Sequence, residues 1–260
     1  MTLVIAHQGD WLEAPGRPRP NTVDAVVVAL RAGADGAEFD VRMTADGEVV
    51  MHHDSHIGDG DIAAGCPLPV GTAVTSVKRE EVSHLSTLVE LLEAVSGWSG
   101  EHAGASGPPV LNVELKDLPG QPGWDAAHTL ARHVARLLVE AGVGEWPGPD
   151  EGARVRVIVS SFDPGALVEL HREAPQLATG LLLAGGGDWR RALSQEGAWR
   201  AVHPEHVDAD QGLFDAASAA GLAVVPWTVD DPARAVALAS IGAAGIITNR
   251  PRSVLRALGR

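Results

Sequence analysis

Short runs of aliphatic and β-branched residues alternate with longer segments of helical periodicity along most of the chain. Nine runs predict strands, at Leu3–His7, Gly36–Met43, Val49–His53, Val110–Lys116, Val155–Ser161, Leu177–Leu183, Ala201–Asp208, Ala223–Val229 and Gly245–Thr248. Most of the intervals between them predict helices, at Thr22–Ala32, Leu85–Val95, Trp124–Ala141, Asp163–Glu173, Asp210–Ala220 and Pro232–Ile241. This alternation is typical of parallel strands joined by crossover helices.

The third run differs from the others because the connection before it is very short. Asp46-Gly47 lies in that connection and is a strong signal for a β-hairpin, whereas parallel neighbours need a crossover of about a dozen residues. We therefore expect Val49–His53 to pair antiparallel with the second strand. The eight remaining strands predict an α/β fold, a TIM (β/α)8 barrel with a small insertion and β-hairpin after the second barrel strand.

An open doubly wound sheet is the alternative architecture. It would require a glycine-rich phosphate loop after the first strand, and His7-Gln8-Gly9-Asp10 is not such a loop. The stretch Ser55–Thr75 is rich in Gly, Ala, Pro and Asp, and we expect an insertion at the barrel mouth over about residues 54–85. Ser99–Pro109 and Gly142–Gly152 are predicted loops, so residues 1–260 are expected to form a single domain.

The amino-acid composition excludes several classes of binding partner and cofactor site. Acidic residues exceed basic ones by 14, so neither nucleic acid nor an anionic membrane surface is an expected partner. Cys66 is the single cysteine, which excludes an internal disulfide framework and a cysteine-based zinc cluster. No apolar run approaches the length of a membrane span, and Met1–His7 has no basic leader, so we expect a cytoplasmic protein. A small anionic substrate remains compatible with this charge, and the sequence does not indicate an oligomeric state.

Charged residues on two buried strands are the strongest chemical signal. Alternation places Glu38 and Asp40 on one face of the second strand, and Asn112, Glu114 and Lys116 on one face of the next barrel strand. Buried parallel strands are normally apolar on both faces, and unpaired buried charge is costly. Three converging carboxylates would form an all-oxygen site of the type that Mg²⁺ or Ca²⁺ prefers. A buried ion-pair network with Lys116 is the alternative.

Histidines near the strand ends are the second signal. His7 ends the first strand, while His52 and His53 end the hairpin strand, and catalytic residues of barrel enzymes lie at strand carboxyl ends. Two imidazoles beside a carboxylate cluster could act as general acid and general base. Since His52 and His53 point to opposite faces, only one of them should face the pocket. Trp227 could form an apolar wall for a substrate, or simply pack in the core.

Short motifs from Ile5 to Pro251 follow one another in a recognisable order. They are Ala6-His7-Gln8-Gly9, Pro20-Asn21-Thr22, Glu38-Phe39-Asp40-Val41, Thr44-Ala45-Asp46-Gly47, Val50-Met51-His52-His53-Asp54, Val113-Glu114-Leu115-Lys116, Ser160-Ser161-Phe162, Trp227-Thr228-Val229-Asp230 and Gly245-Ile246-Ile247-Thr248. In this order the chain resembles the glycerophosphodiester phosphodiesterase family. The resemblance implies a TIM barrel that hydrolyses glycerophosphodiesters to glycerol 3-phosphate and an alcohol.

The resemblance also implies roles for individual residues. The carboxylates of Glu38, Asp40 and Glu114 are expected to hold a divalent metal, Mg²⁺ or Ca²⁺. The family's general acid and base match His7 and His53, and its phosphate-holding lysine matches Lys116, with Gln8 and Trp227 as further candidate contacts to the small-molecule phosphodiester.

Three positions depart from the family pattern. Gln8 replaces the usual arginine, Pro20 replaces the usual glutamate, and Asp230 stands where asparagine is common. An arginine offers phosphate a charged, bidentate fork, whereas Gln8 offers one neutral amide group. These changes leave open a non-catalytic phosphodiester-binding barrel as the alternative, with a metal-dependent lyase as a more distant one.

Overall fold

Strands and helices alternate through the computed structural model, which describes residues 1–98, 107–146, 155–186, 189–194 and 199–260. The strands are β1 (Leu3–His7), β2 (Gly36–Met43), β3 (Val49–Met51), β4 (Val110–Leu115), β5 (Gly144–Glu145), β6 (Arg156–Ser161), β7 (Ala178–Leu183), β8 (Ala201–Pro204), β9 (Ala223–Val224) and β10 (Gly245–Thr248). The helices are α1 (Val23–Arg31), α2 (Asp59–Ala63), α3 (Leu88–Ser96), α4 (Thr129–Glu140), α5 (Pro164–Glu173), α6 (Trp189–Ser194), α7 (Gln211–Ala219), α8 (Pro232–Ser240) and α9 (Pro251–Ala257).

The parallel strands form a nearly closed eight-stranded barrel in the order β10-β1-β2-β4-β6-β7-β8-β9. Hydrogen bonds around β9 continue the ring, since Ala244 N donates to Val224 O at 2.9 Å and Ile247 N donates to Pro226 O at 3.0 Å. Strand β3 pairs antiparallel with β2. The predicted TIM-type barrel and its hairpin are confirmed.

Two helices begin later than predicted, because of the residues just before them. The helix expected from Leu85 begins at Leu88, because Thr87 and Glu90 form a capping box in which each side chain accepts a backbone N–H of the other. The helix expected from Trp124 begins at Thr129, since His128 has a left-handed backbone with φ of 47°.

Several strands are shorter than predicted, and β3 ends at Met51 instead of His53. The runs expected to reach Asp208 and Val229 end as regular strands at Pro204 and Val224. Pro226 carries no N–H and interrupts the ladder, although Trp227 N still donates to Pro204 O at 3.0 Å. Strand β5, which pairs with β6, lies inside a segment predicted to be a loop. Residues 99–106 and 147–152 of the predicted loops fall outside the described residues.

The barrel interior changes character from one end to the other. Its amino-terminal half is filled by aliphatic side chains, among them Leu3 and Ile5 of β1, Val110 of β4 and Ile158 of β6. The outward-facing residues of β2 and β4 pack against the surrounding helices; they are Ala37, Phe39, Val41, Leu111, Val113 and Leu115. Polar residues therefore collect on the inner face at the carboxyl ends of the strands.

The insertion after β3 has a hydrophobic cluster of its own. Val50 and Ile57 pack there with residues from the two short 3₁₀ helices and their surroundings, which include Val74, Val77, Val82 and Leu85. This cluster fixes the insertion beside the barrel mouth. Among the described residues, no helix has both the length and the apolarity required to cross a bilayer.

Close contact between β2 and β4 sets the register of the polar residues. A side chain at Gly36 would place its Cβ 2.1 Å from the carbonyl oxygen of Val110. We expect Gly36→Ala to lower the free energy of unfolding by more than about 3 kcal/mol, because the backbones of β2 and β4 must separate. Denaturant unfolding measures this change.

Gly60→Ala is the matched control, since a Cβ there would meet nothing within 4 Å. It should alter the free energy of unfolding by less than about 1 kcal/mol. Equal losses in the two variants would contradict the close packing of β2 on β4.

Candidate active site

Three carboxylates meet inside the carboxyl end of the barrel. Asp40 of β2 lies opposite Glu114 of β4 in the parallel ladder, and Glu38 lies one alternation earlier on the same face. Each of these residues can offer one carboxylate oxygen so that all three oxygens lie within 4.8 Å of one another. The three residues are only 1–7% exposed. The structure therefore brings together the acidic residues that the sequence placed on separate strands.

Lys116 supplies a positive charge within this group. Its Nζ lies 3.1 Å from Asp40 Oδ1 and 2.5 Å from Glu114 Oε1. Burial opposes the ammonium charge, but the carboxylates of Glu114 and Asp40 outweigh it and raise the pKa of Lys116 above its ordinary value. The ion pair expected as an alternative to a metal is thus present, but one ammonium cannot neutralise three carboxylates.

The negative charge that Lys116 leaves uncompensated affects the pKa values of the two glutamates. Burial, followed by the nearby charge of Asp40, raises the pKa of Glu38 well above its ordinary value and that of Glu114 to about 7. Glu38 Oε1 is buried and accepts no hydrogen bond from any residue that the structure describes. Buried carboxylate oxygens with unmet charge are suitable ligands for a divalent cation such as Mg²⁺ or Ca²⁺.

The loop after β1 holds Asp40 in place. Gln8 Nε2 and Asn21 Nδ2 each donate to Asp40 Oδ2 at 2.7 Å, and Asn21 Oδ1 accepts from Asp40 N at 3.0 Å. Although burial acts in the opposite direction, the ammonium of Lys116 and the hydrogen bond from Asn21 help to hold the pKa of Asp40 below its ordinary value. Gln8 and Asn21 adopt left-handed φ angles of 55° and 54°, a strained conformation that directs both side chains to one carboxylate.

His7 is oriented by a chain of hydrogen bonds. Asp230 accepts from the Asn249 side-chain amide at 2.8 Å, so the Asn249 carbonyl oxygen faces His7 Nδ1, which lies 2.8 Å away. Because a carbonyl oxygen only accepts, Nδ1 carries the proton and Nε2 presents a lone pair, 3.7 Å from Glu38 Oε2. Burial lowers the pKa of His7 below its ordinary value.

His53 reaches the same cavity from the hairpin. Its Nδ1 lies 2.7 Å from Asp54 Oδ1, and 54% of its side chain is exposed. Both imidazoles line one cavity of about 310 Å³. Its lining includes His7, Glu38, His53, Glu114, Lys116, Phe162 and Trp227. His52 lines only a neighbouring cavity, which His53 also borders, and both residues follow the end of β3 at Met51.

Aromatic rings form the opposite wall of this cavity. Phe162 and Trp227 pack edge to face, with ring centroids 5.7 Å apart. The Trp227 indole N–H donates to His203 O at 2.7 Å, which fixes the orientation of the ring. Trp227 thus combines the two expectations, since it packs in the barrel interior and also lines the cavity.

Arg42 is a buried residue beside the candidate site that the sequence analysis did not single out. It is 4% exposed, and its guanidinium donates to His53 O at 2.8 and 3.0 Å and to Lys116 O at 2.6 Å. It thereby joins the backbone segments that carry one candidate catalytic histidine and the lysine. Its place on the inner face of β2, two residues after Asp40, was the available signal. Asn249, which contacts His7, is likewise absent from the predicted site residues.

The fold and the site define an α/β-barrel enzyme with an acidic centre at the carboxyl ends of its strands. The model of the glycerophosphoryl diester phosphodiesterase family matches residues 7–253, and the chain belongs to this family. The resemblance inferred from the sequence motifs is confirmed, and with it the assignment to the phosphodiester hydrolases.

Relatives of known name match over nearly the whole chain. A glycerophosphodiester phosphodiesterase of Caldanaerobacter subterraneus is 29% identical, and the match covers 98% of this chain and 96% of the relative. A probable glycerophosphodiester phosphodiesterase 1 of Mycobacterium tuberculosis is 30% identical, with 95% and 89% covered.

Solved structures share the same barrel. A putative glycerophosphoryl diester phosphodiesterase from Silicibacter pomeroyi superposes with a TM-score of 0.77 at 25% identity, covering 99% of this chain and 92% of that one. An Oleispira antarctica phosphodiesterase, solved with the product sn-glycerol-3-phosphate, gives a TM-score of 0.74 at 21% identity, with 99% and 97% covered. The latter likeness concerns the fold.

Replacement of Arg42 tests its positioning role. Arg42→Met should lower the free energy of unfolding by about 2 to 4 kcal/mol, because buried backbone carbonyls lose a charged donor. It should also lower kcat more than it raises KM, since His53 and Lys116 lose their common support. Calorimetry and steady-state kinetics measure the two effects.

Arg136→Met is the control, because Arg136 is 57% exposed and forms a surface ion pair with Glu173 at 3.0 Å. Its loss should cost less than about 1 kcal/mol and leave kcat unchanged. If Arg42→Met also left kcat unchanged, the positioning role would be wrong.

Proposed function

We propose that this chain is a metal-dependent hydrolase that cleaves glycerophosphodiesters to glycerol 3-phosphate and an alcohol, with His7 and His53 as its general base and general acid. The observation that carries this proposal is the shared cavity, which two imidazoles line together with the Lys116 ammonium and two carboxylates of the three-carboxylate cluster. This arrangement offers both charge neutralisation for a phosphate group and two proton-transfer groups.

Phosphate binding is assigned to the floor of the cavity. When bound by Glu38, Asp40 and Glu114, a divalent cation supplies positive charge to the phosphodiester oxygens. The Lys116 ammonium, held between Asp40 and Glu114, supplies a second positive charge beside them. Gln8 is already bonded to Asp40, so its first role is to orient that carboxylate.

His7 is the group suited to accept a proton. Its lowered pKa keeps the ring neutral near pH 7, and the bond to Asn249 leaves the Nε2 lone pair available. We assign it the removal of a proton from the attacking hydroxyl, the glycerol 2-hydroxyl of the substrate. That oxygen attacks phosphorus and the alcohol departs, after which water opens the cyclic phosphate to glycerol 3-phosphate.

His53 is the group suited to supply a proton. Its Nδ1 lies 2.7 Å from the Asp54 carboxylate, which can only accept a hydrogen bond, so Nδ1 carries a proton and Nε2 is free to face the cavity. From the exposed edge of the cavity, Nε2–H can protonate the departing alcohol, which diffuses away on that side. The two histidines then have opposite roles that follow from their different surroundings.

Loss of the family's arginine and glutamate at positions 8 and 20 motivates the alternative of a non-catalytic binding barrel. The contacts of Gln8 weigh against that alternative. Its side-chain amide and the Asn21 amide saturate the same Asp40 oxygen, so the carboxylate is supported without a guanidinium. The glutamine substitution therefore leaves the acidic cluster intact.

Substitution of the histidines tests the catalytic assignment. His53→Ala and His7→Ala should each lower kcat by at least about 100-fold, since each removes a proton-transfer group. The thermal midpoint of His53→Ala should stay close to that of the parent chain, because the ring is half exposed. Release of alcohol from a panel of glycerophosphodiesters with Mg²⁺, Mn²⁺ or Ca²⁺ provides the assay.

His56→Ala is the control, because it removes an exposed imidazole of the same insertion that does not line the cavity. Its kcat should equal that of the parent chain. A parent protein that released no alcohol from any member of the panel would refute the proposal.

Removal of the metal gives an independent test. Treatment with EDTA should abolish turnover, and Mg²⁺ or Ca²⁺ should restore it and raise the thermal midpoint. At a metal concentration of 100 times Kd the stabilisation should be about 2.7 kcal/mol. Glu38→Gln should lose this metal-induced rise, whereas Glu48→Gln, at an exposed position of the hairpin, should retain it. Full activity in EDTA would exclude the metal.

A further inference from the structure

A second cavity adjoins the candidate active site. It has a volume of about 370 Å³ and lies between the loop after β1 and the insertion; we call it the side cavity. His53 lines both cavities, and Gln8 and Asn21 border the side cavity while bonding to Asp40. A molecule with its phosphate at the acidic cluster could therefore extend past His53 into the side cavity.

Polar side chains converge at the wall of the side cavity formed by the insertion. Asp61 is 5% exposed, with Oδ1 accepting from Arg19 at 2.9 Å and Oδ2 accepting from Gly58 N at 2.8 Å. The Nε2 atoms of His52 and His84 both lie 3.9 Å from this carboxylate. His84 Nε2 is buried and has no hydrogen-bond partner within the described part of the chain.

The charges around this wall restrict the class of ligand. Asp54, Asp59 and Asp61 outnumber the single cation Arg19, which disfavours an anionic group. Among the described residues, no Trp or Phe lines the side cavity, so the rings that usually bind a quaternary ammonium are missing. A metal ion at Asp61 would face the Arg19 guanidinium.

Hydroxyl groups match the donors and acceptors that remain. A hydroxyl both donates and accepts, so it can pair with an Arg19 N–H, an Asp61 oxygen or either imidazole. The volume is sufficient for a small polyol, since ligand cavities begin at about 300 Å³.

We propose that the side cavity binds the alcohol half of the phosphodiester and selects an uncharged, hydroxyl-rich head group, such as glycerol or a cyclitol. This inference rests on the proposed function. His84 and Arg19 are the specificity-determining residues, and His53 stands at the junction where the scissile bond to that alcohol would lie.

The test compares two substrates that share the glycerophosphate half. We expect kcat/KM of the Mg²⁺-loaded enzyme to be higher for glycerophosphoglycerol than for glycerophosphocholine. His84→Leu and Arg19→Gln should each lower this preference by about threefold to tenfold, the effect of one lost hydrogen bond. In each variant kcat/KM for glycerophosphoglycerol should fall more than kcat/KM for glycerophosphocholine.

His56→Leu is the matched control, since it removes an imidazole of the same insertion that does not line the side cavity, and the preference should not change. Arg19 lies on an exposed edge, so Arg19→Gln keeps the test valid if His84→Leu fails to fold. Cleavage of both substrates with a preference for choline, or with a ratio unmoved by both variants, overturns this inference alone. Cleavage of neither substrate overturns the proposed function together with it.

Discussion

The burial of three carboxylates beside one ammonium is the constraint on which the site depends. Glu38, Asp40 and Glu114 lie in the barrel interior, where unpaired charge is expensive. Lys116 offsets part of this cost, and the raised pKa values of the two glutamates reflect the part that remains. The barrel therefore maintains an excess of buried negative charge, which a divalent cation bound by these carboxylates would offset.

Maintaining that imbalance requires support from several separate segments. The loop after β1 directs Gln8 and Asn21 to a single oxygen of Asp40. On the other side of the cavity, Asn249 after β10 sets the tautomer of His7. Arg42 donates hydrogen bonds to the backbone carbonyls of Lys116 and His53 at the mouth of the barrel. Each support includes an oxygen that can only accept a hydrogen bond, which leaves the geometry little freedom.

Much of the fold could be predicted from the chain, because strand alternation and hairpin chemistry act over a few residues. Glu38 and Asp40 share a face, and Asp46-Gly47 turns the chain into β3, for local reasons alone. The ends of helices were less predictable where the backbone conformation of one residue sets them, as the left-handed backbone of His128 does for α4. The two-residue strand β5 depends on pairing with β6 and has no local signal.

The sequence by itself determined which side chains point into the barrel and that their charges need compensation, since both follow from a period of two along a buried strand. Tertiary structure alone decided which of them meet. The register that sets Asp40 opposite Glu114, the hydrogen bond of Asn249 to His7, and the hydrogen bonds of Arg42 to two loops all join segments far apart in the chain. Such contacts arise from closure of the barrel and packing of the insertion, and no local pattern encodes them.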